Sequence, residues 1–155
     1  MSDTTISRPA PEAAETKHRF GFVKVSGIII AVIGAIMLIG GASTWVLVQS
    51  QLSDEKIVVA EDASTNAGKD VNGPFTAYSQ AQIIQKHSLE LAGGKTYAQL
   101  DREDPKRATV MNGSFLRASL FTSVLAFGVS AMAMALGFVQ ILLGVSTYRL
   151  ADGKS

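Results

Sequence analysis

The 155-residue chain carries few side chains able to do chemistry, and where they stand limits what they could do. It has two histidines, His18 and His87, and no cysteine. Without thiols there is no disulfide framework, thiolate metal site, acylated cysteine or thiol nucleophile. His87 has Glu90 about one helical turn on, a spacing that suits a metal-ligand pair or a proton carrier, and equally an ordinary solvated helix surface. Asp101, Glu103 and Asp104 gather carboxylates as a hard cation requires, yet Lys106 and Arg107 follow at once. Asp104-Pro105 reads better as a helix start, with Asp as cap and Pro in the first position. Asn112-Gly113-Ser114 matches a glycosylation acceptor, but it lies against an apolar stretch and reads as a chance match. No P-loop, dinucleotide fingerprint, nucleophile elbow or HExxH motif occurs. The expectation is therefore a non-catalytic chain with no cofactor and no metal.

The elements that would position these groups are dominated by two uncharged stretches. Val25–Ser53 lies between Lys24 and Asp54, and Ala118–Tyr148 lies between Arg117 and Arg149. Each exceeds the roughly 20 apolar residues that cross the hydrocarbon of a bilayer. The small residues Gly40, Gly41, Ala42 and Ser43 would suit a signal-peptide cleavage site, but Trp45, Val46, Leu47 and Val48 carry the apolar run beyond the about 7–15 residues of a signal core. The fold class predicted is a mainly α membrane protein, a two-helix transmembrane hairpin with a small, mostly helical extracytoplasmic domain between the spans. Its parts are a disordered cytoplasmic tail (1–19), a first transmembrane helix (20–49), the outer domain (50–104), a long helix containing the second span (105–148) and a cytoplasmic tail (149–155).

Lys17, Arg19 and Lys24 before the first span place the N-terminus in the cytoplasm by the positive-inside rule. Arg149 and Lys154 agree for the C-terminus. The loop 50–117 also contains eight basic residues, but loops longer than about 60 residues translocate largely regardless of charge. Phe20, Phe22, Trp45 and Tyr148 read as interfacial anchors. The net charge of +1, with no basic run interleaved with aromatics, argues against nucleic acid as a partner.

Between the spans, Lys56–Ala60 reads as a short strand or extended segment, and Asn72-Gly73-Pro74 as a turn. Thr76–Leu91 reads as a helix with Ala77, Ala81, Ile84, Ser88 and Leu91 on one face, ended by Gly93-Gly94. A shorter helical piece covers Tyr97–Arg102. A domain so small, with no staple, has a marginal core and needs a neighbour.

The sharpest pattern is a seam in the second span: Ser123, Ala126, Ser130, Ala133, Gly137, Gln140 and Gly144. Their alternating spacing of three and four puts them on one helix face, where small side chains let another helix approach closely. Leu120, Val124, Phe127, Leu136 and Phe138 are expected largely to face elsewhere. Gln140 should hydrogen-bond across to a neighbouring helix, worth about 1 kcal/mol or less. A weaker seam, Gly27, Ala31, Gly34 and Gly41, interrupted by Leu38, marks the first span. The two seams can meet each other, while the Phe-, Met- and Leu-rich faces left over meet lipid or a larger complex.

From Val71-Asn72-Gly73-Pro74-Phe75-Thr76-Ala77-Tyr78, through Lys86-His87 and Gly93-Gly94-Lys95-Thr96-Tyr97-Ala98, to Arg107–Asn112 and Ser114–Ser123, the chain resembles a family of small actinobacterial two-span membrane proteins. Members often carry the automatic label of aromatic ring-opening dioxygenase. Such an enzyme needs iron ligands, and this chain is expected to hold one histidine on each side of a membrane. The family is also similar to accessory subunits of the actinobacterial respiratory supercomplex, which joins a cytochrome bcc complex to a cytochrome oxidase. The resemblance implies a subunit without haem or copper, packed against larger membrane proteins and lipids. The alternative is a free-standing envelope protein whose outer domain binds a lipid or small ligand at Phe75, Tyr78, Ile83 and Ile84.

Overall fold

The computed structural model describes the backbone over residues 11–153 and side chains from residue 21 onward. Two long apolar helices, α1 (Pro11–Asp54) and α3 (Arg107–Ala151), flank a segment that carries the shorter α2 (Pro74–Leu91) and a 3-10 turn at Tyr97–Gln99. Among the described residues, Gly21–Asp54 and Arg107–Ala151 are long and apolar enough to cross a membrane. Only 11% and 17% of their most apolar windows are buried, so these are not core helices of a soluble protein. Long helices that are apolar all round and left exposed are consistent with a pair of membrane spans.

Helix α1 starts earlier than the sequence suggested. The disordered tail expected over 1–19 is helix from Pro11, where Pro in the first position, then Glu12, Ala13, Ala14 and Glu15, suit an N-terminal turn. Residues 1–10 of that tail and residues 154–155 of the other lie outside the described residues. Helix α3 starts at Arg107 rather than Pro105 because Asp104 first makes a tight turn: its Oδ1 accepts from the Lys106 N–H at 2.8 Å and its carbonyl from the Arg107 N–H at 3.0 Å.

The chain forms two compact units, one from α1 up to Ile39 with α3 from Met134 onward, the other from Gly40 to Ala133. The centre of the second unit is Leu52, Val59, Val71, Ala77, Ala81, Leu120 and Phe127. Lys56, in the left-handed conformation at φ 51°, ends α1 and turns the chain into an extended segment. The strand expected at Lys56–Ala60 reduces to a single antiparallel bridge, Val58 with Asp70. Val59 N–H donates to the Lys69 carbonyl at 2.9 Å, and Val71 N–H to that of Ile57 at 2.8 Å.

Pro74 opens α2, and the Thr76 hydroxyl reaches back to accept from the Gly73 N–H at 3.2 Å, satisfying a donor the helix cannot. Gly94, at φ 84°, closes it by donating to the Leu89 carbonyl at 2.7 Å. Its inner face carries Ala77, Ala81 and Ile84. Leu91, expected on that face, is exposed, since the terminating turn lifts it clear; Ser79 and Ile83 are buried instead. A second small cluster joins Ala92, Leu100 and Val110 under Tyr97, whose ring the Arg107 guanidinium covers at 4.2 Å. The helical piece expected over Tyr97–Arg102 is only the 3-10 turn, followed at Leu100 by extended backbone.

Candidate functional site: the small-residue helix contact

In the first unit the two seams lie against each other, antiparallel. Gly27 meets Gly144 and Gly34 meets Gly137, so the step from 27 to 34 on α1 matches the step from 144 to 137 on α3. All four glycines are buried. A Cβ on Gly34 would stand 2.6 Å from the Gly137 carbonyl oxygen, and one on Gly137 would stand 2.6 Å from that of Gly34. No real side chain fits there, so backbone touches backbone and each Cα–H is aimed at the facing carbonyl. Leu38 interrupts the α1 seam, and α3 answers with Gly137, whose added Cβ would lie 2.7 Å from the Leu38 nitrogen. Ala31 fits against Gly144 in the same way, its Cβ 2.8 Å from where a Gly144 Cβ would be.

Gln140 stands within this contact, its Cβ 2.9 Å from the position of a Gly34 Cβ. The hydrogen bond expected from it across to a neighbouring helix is not made through Oε1, which is buried without a partner among the described residues. The facing α1 surface presents backbone already committed to helix bonds, which leaves the amide oxygen no donor. At the end of the same unit the Lys24 ammonium pairs with Asp152 and lies 5.9 Å from the centre of the Tyr148 ring. Beside this pair is an open groove of about 870 Å³, lined by Gly27, Ala31 and Ala35 of α1 and by Val145, Tyr148 and Arg149 of α3. Neither the ion pair nor the groove was foreseen. The signal available was that Lys24 and Arg149 bracket the two uncharged stretches, which juxtaposes them once the glycines set the register.

In the second unit the seam behaves differently. Ser130 and Gly41 are buried, whereas Ser123, Ala126 and Ala133 are only partly so. Leu120 and Phe127, expected to face away, are 4% and 1% exposed and sit in the core. Phe127 packs edge-on against Trp45, ring centres 4.7 Å apart, so Trp45 is a packing residue as well as a candidate interfacial anchor. Leu120 and Phe127 are seven residues apart and lie one position around the helix from the small-residue stripe, whose own Ser130 is buried with them. Leu136 and Phe138 are outward, 47% and 55% exposed.

Outside the spans, the loop after the bridge is tied to α2. Gln80 Oε1 accepts from the Ala60 N–H at 3.1 Å, and the buried Ser79 hydroxyl accepts from Asn66 at 3.0 Å and donates to the Phe75 carbonyl at 3.0 Å. Asp62 Oδ2 accepts from Lys86 at 3.0 Å and lies 2.9 Å from His87 Nε2. Those two contacts, His87 foremost, pull the Asp62 carboxyl down to about 2, and Asp62 in turn raises Lys86. His87 is thus paired with Asp62 rather than with Glu90. A cleft of about 520 Å³ opens beside this cluster, with Thr65, Tyr78, Gln82 and Lys86 on its walls. The ligand surface expected at Phe75, Tyr78, Ile83 and Ile84 does not form as one patch, because Ile83 is 5% exposed and Ile84 packs on the core. Asp101 and Glu103 are exposed, and Asp104 is used in its turn. Among the described residues no group of three or more His, Cys, Asp or Glu is placed to hold a metal ion.

Comparison with protein-family models, with curated proteins and with solved structures gave no significant match to this chain.

Proposed function

We propose that the chain is a non-catalytic accessory subunit that stabilises a larger membrane assembly, with an actinobacterial cytochrome bcc–oxidase supercomplex as the specific candidate. In this reading α1 and α3 are a transmembrane hairpin in the cell membrane, both termini are cytoplasmic, and the loop 50–117 is extracytoplasmic. The basic residues flanking the spans support that orientation.

The observation that carries the reading is Phe75. Its side chain is 80% exposed in the first turn of α2, on a small domain whose other apolar residues Val59, Val71, Ala77 and Ala81 are buried. A bare aromatic of this kind is an anchor for another protein's pocket. The glycine seam is spent on the hairpin itself, so partner contacts fall to Phe75 and to the outward faces of the helices.

The test is mild-detergent purification of the tagged chain from its native membrane, with mass spectrometry and a visible absorption spectrum of what accompanies it. Stoichiometric cytochrome subunits with haem bands support the proposal, and Phe75→Ser should lower their recovery without loss of helix content. A colourless preparation containing this chain alone rejects it. That result would favour a free-standing envelope protein that takes a small ligand, for which the polar cleft at Asp62, Tyr78 and Lys86 is the candidate site.

A further inference from the structure

The groove beside the glycine contact is floored by small residues, two of which, Gly27 and Ala31, also make the contact with Gly144. Gly27, Ala31 and Ala35 recur every four residues on α1, so their small side chains form a continuous trough about 12 Å long at 1.5 Å per residue. Val145 walls the trough on α3. One end opens at Tyr148 and Arg149, next to the Lys24–Asp152 pair. Among the described residues that end holds two cations, Arg149 in the lining and Lys24 beside it, against the Asp152 carboxylate, which also lines the groove. Arg149 is exposed and its side chain has no hydrogen-bond or ion-pair partner among the described residues. The carbonyls of the last α3 turn do not oppose an anion there strongly, since the Asp152 N–H takes those of Tyr148 and Arg149 at 3.1 Å and the Gly153 N–H that of Leu150 at 3.4 Å.

We infer that this groove binds one anionic phospholipid, an acyl chain lying over Gly27, Ala31 and Ala35 and the phosphate held by Arg149 and Lys24. An apolar trough that ends, among the described residues, in an excess of one positive charge matches an amphiphile with an apolar tail and an anionic head. A second protein helix matches it poorly, because it would bury Arg149 against apolar side chains. The volume of about 870 Å³ lies within the range of small-molecule sites, roughly 300–1,000 Å³. Arg149 offers the planar fork that suits phosphate oxygens, and Tyr148 lines the same mouth. The inference requires that α1 and α3 span a membrane, but not that the chain joins an assembly.

The full-length protein is reconstituted in nanodiscs of phosphatidylcholine with a minority of phosphatidylglycerol, then released and weighed by native mass spectrometry. Wild type should retain one phosphatidylglycerol per chain in preference to phosphatidylcholine. Arg149→Gln, a surface change that leaves the helix contact intact, should cut that preference about fivefold, the worth of one basic residue at an anionic surface. Ala35→Leu, checked for unchanged helix content, should abolish retention by filling the trough. Equal retention of both lipids by wild type, or unchanged selectivity in Arg149→Gln together with unchanged retention in Ala35→Leu, overturns the inference. So does a lipid-free dimer, which would give the groove to a second copy of the chain. None of these outcomes depends on whether cytochrome subunits co-purify, so this inference and the accessory-subunit proposal fail separately.

Discussion

The two units solve helix packing in opposite ways. Where Gly34 meets Gly137, side chains are removed until two backbones touch. Where Trp45 meets Phe127, the space is filled with the largest side chains available. Lipid tails are as apolar as leucine, so a bilayer offers no hydrophobic gain for bringing large apolar groups together, and close backbone approach is the remaining source of contact energy. Gly40–Ala133 also has a loop and α2 to bury, which needs a centre of real volume: Val59, Val71 and Leu52 share it with Phe127. The second strategy can relax when a side chain is trimmed. The first has no slack.

Substitutions should expose that contrast. Gly137→Leu is expected to be the most damaging, at or beyond the upper end of the about 1–3 kcal/mol range for overpacking, because the new Cβ collides with backbone rather than with a mobile side chain. Phe138→Leu, on an outward face, should stay within about 0.5 kcal/mol. Thermal unfolding in detergent micelles measures both, and equal losses would remove the case for a glycine contact. Phe127→Ala should cost about 2 kcal/mol, less than the about 3–5 typical of a water-solvated core, if its surroundings are apolar in the unfolded state as well. A full aqueous-core loss would place that unit's centre outside the hydrocarbon.

Gln140→Leu should be neutral or stabilise by up to about 1 kcal/mol, since it removes a buried oxygen that has no donor and keeps the Cβ contact with Gly34. A clear loss would show that the amide does find a partner. The smallest effect belongs to Asp62. Its carboxyl is held at about 2 in the folded chain against an ordinary 3.8, so its contribution is present above 3.8 and fades as pH falls through about 2. Melting curves of wild type and Asp62→Asn should therefore differ slightly near neutral pH and converge in strong acid. The exposed position of the pair keeps this difference small.

Much of the architecture is legible in the sequence. The uncharged runs from Val25 and from Ala118 dictate long apolar helices, because charge is what a lipid-solvated helix excludes. Asn72-Gly73-Pro74 and Gly93-Gly94 bracket α2 through local backbone preferences that need no distant partner. The every-third-or-fourth recurrence of small residues in both spans was equally plain, since helical period is a local property.

Contacts between residues far apart in sequence were not legible in this way. Period marks a stripe on a helix, but adjacent stripes differ by one position. Only the partner surface selects Phe127 over Ala126, or buries Ile83 beside Ile84. The pairing of Gly27 with Gly144 came from a match of gaps between two segments more than a hundred residues apart, and that match brought Lys24 to Asp152 and built the groove beside it. The sequence determined which segments are helices and which faces could approach closely. The tertiary structure alone decided the register, because it depends on steric fit between two surfaces that neither segment specifies by itself.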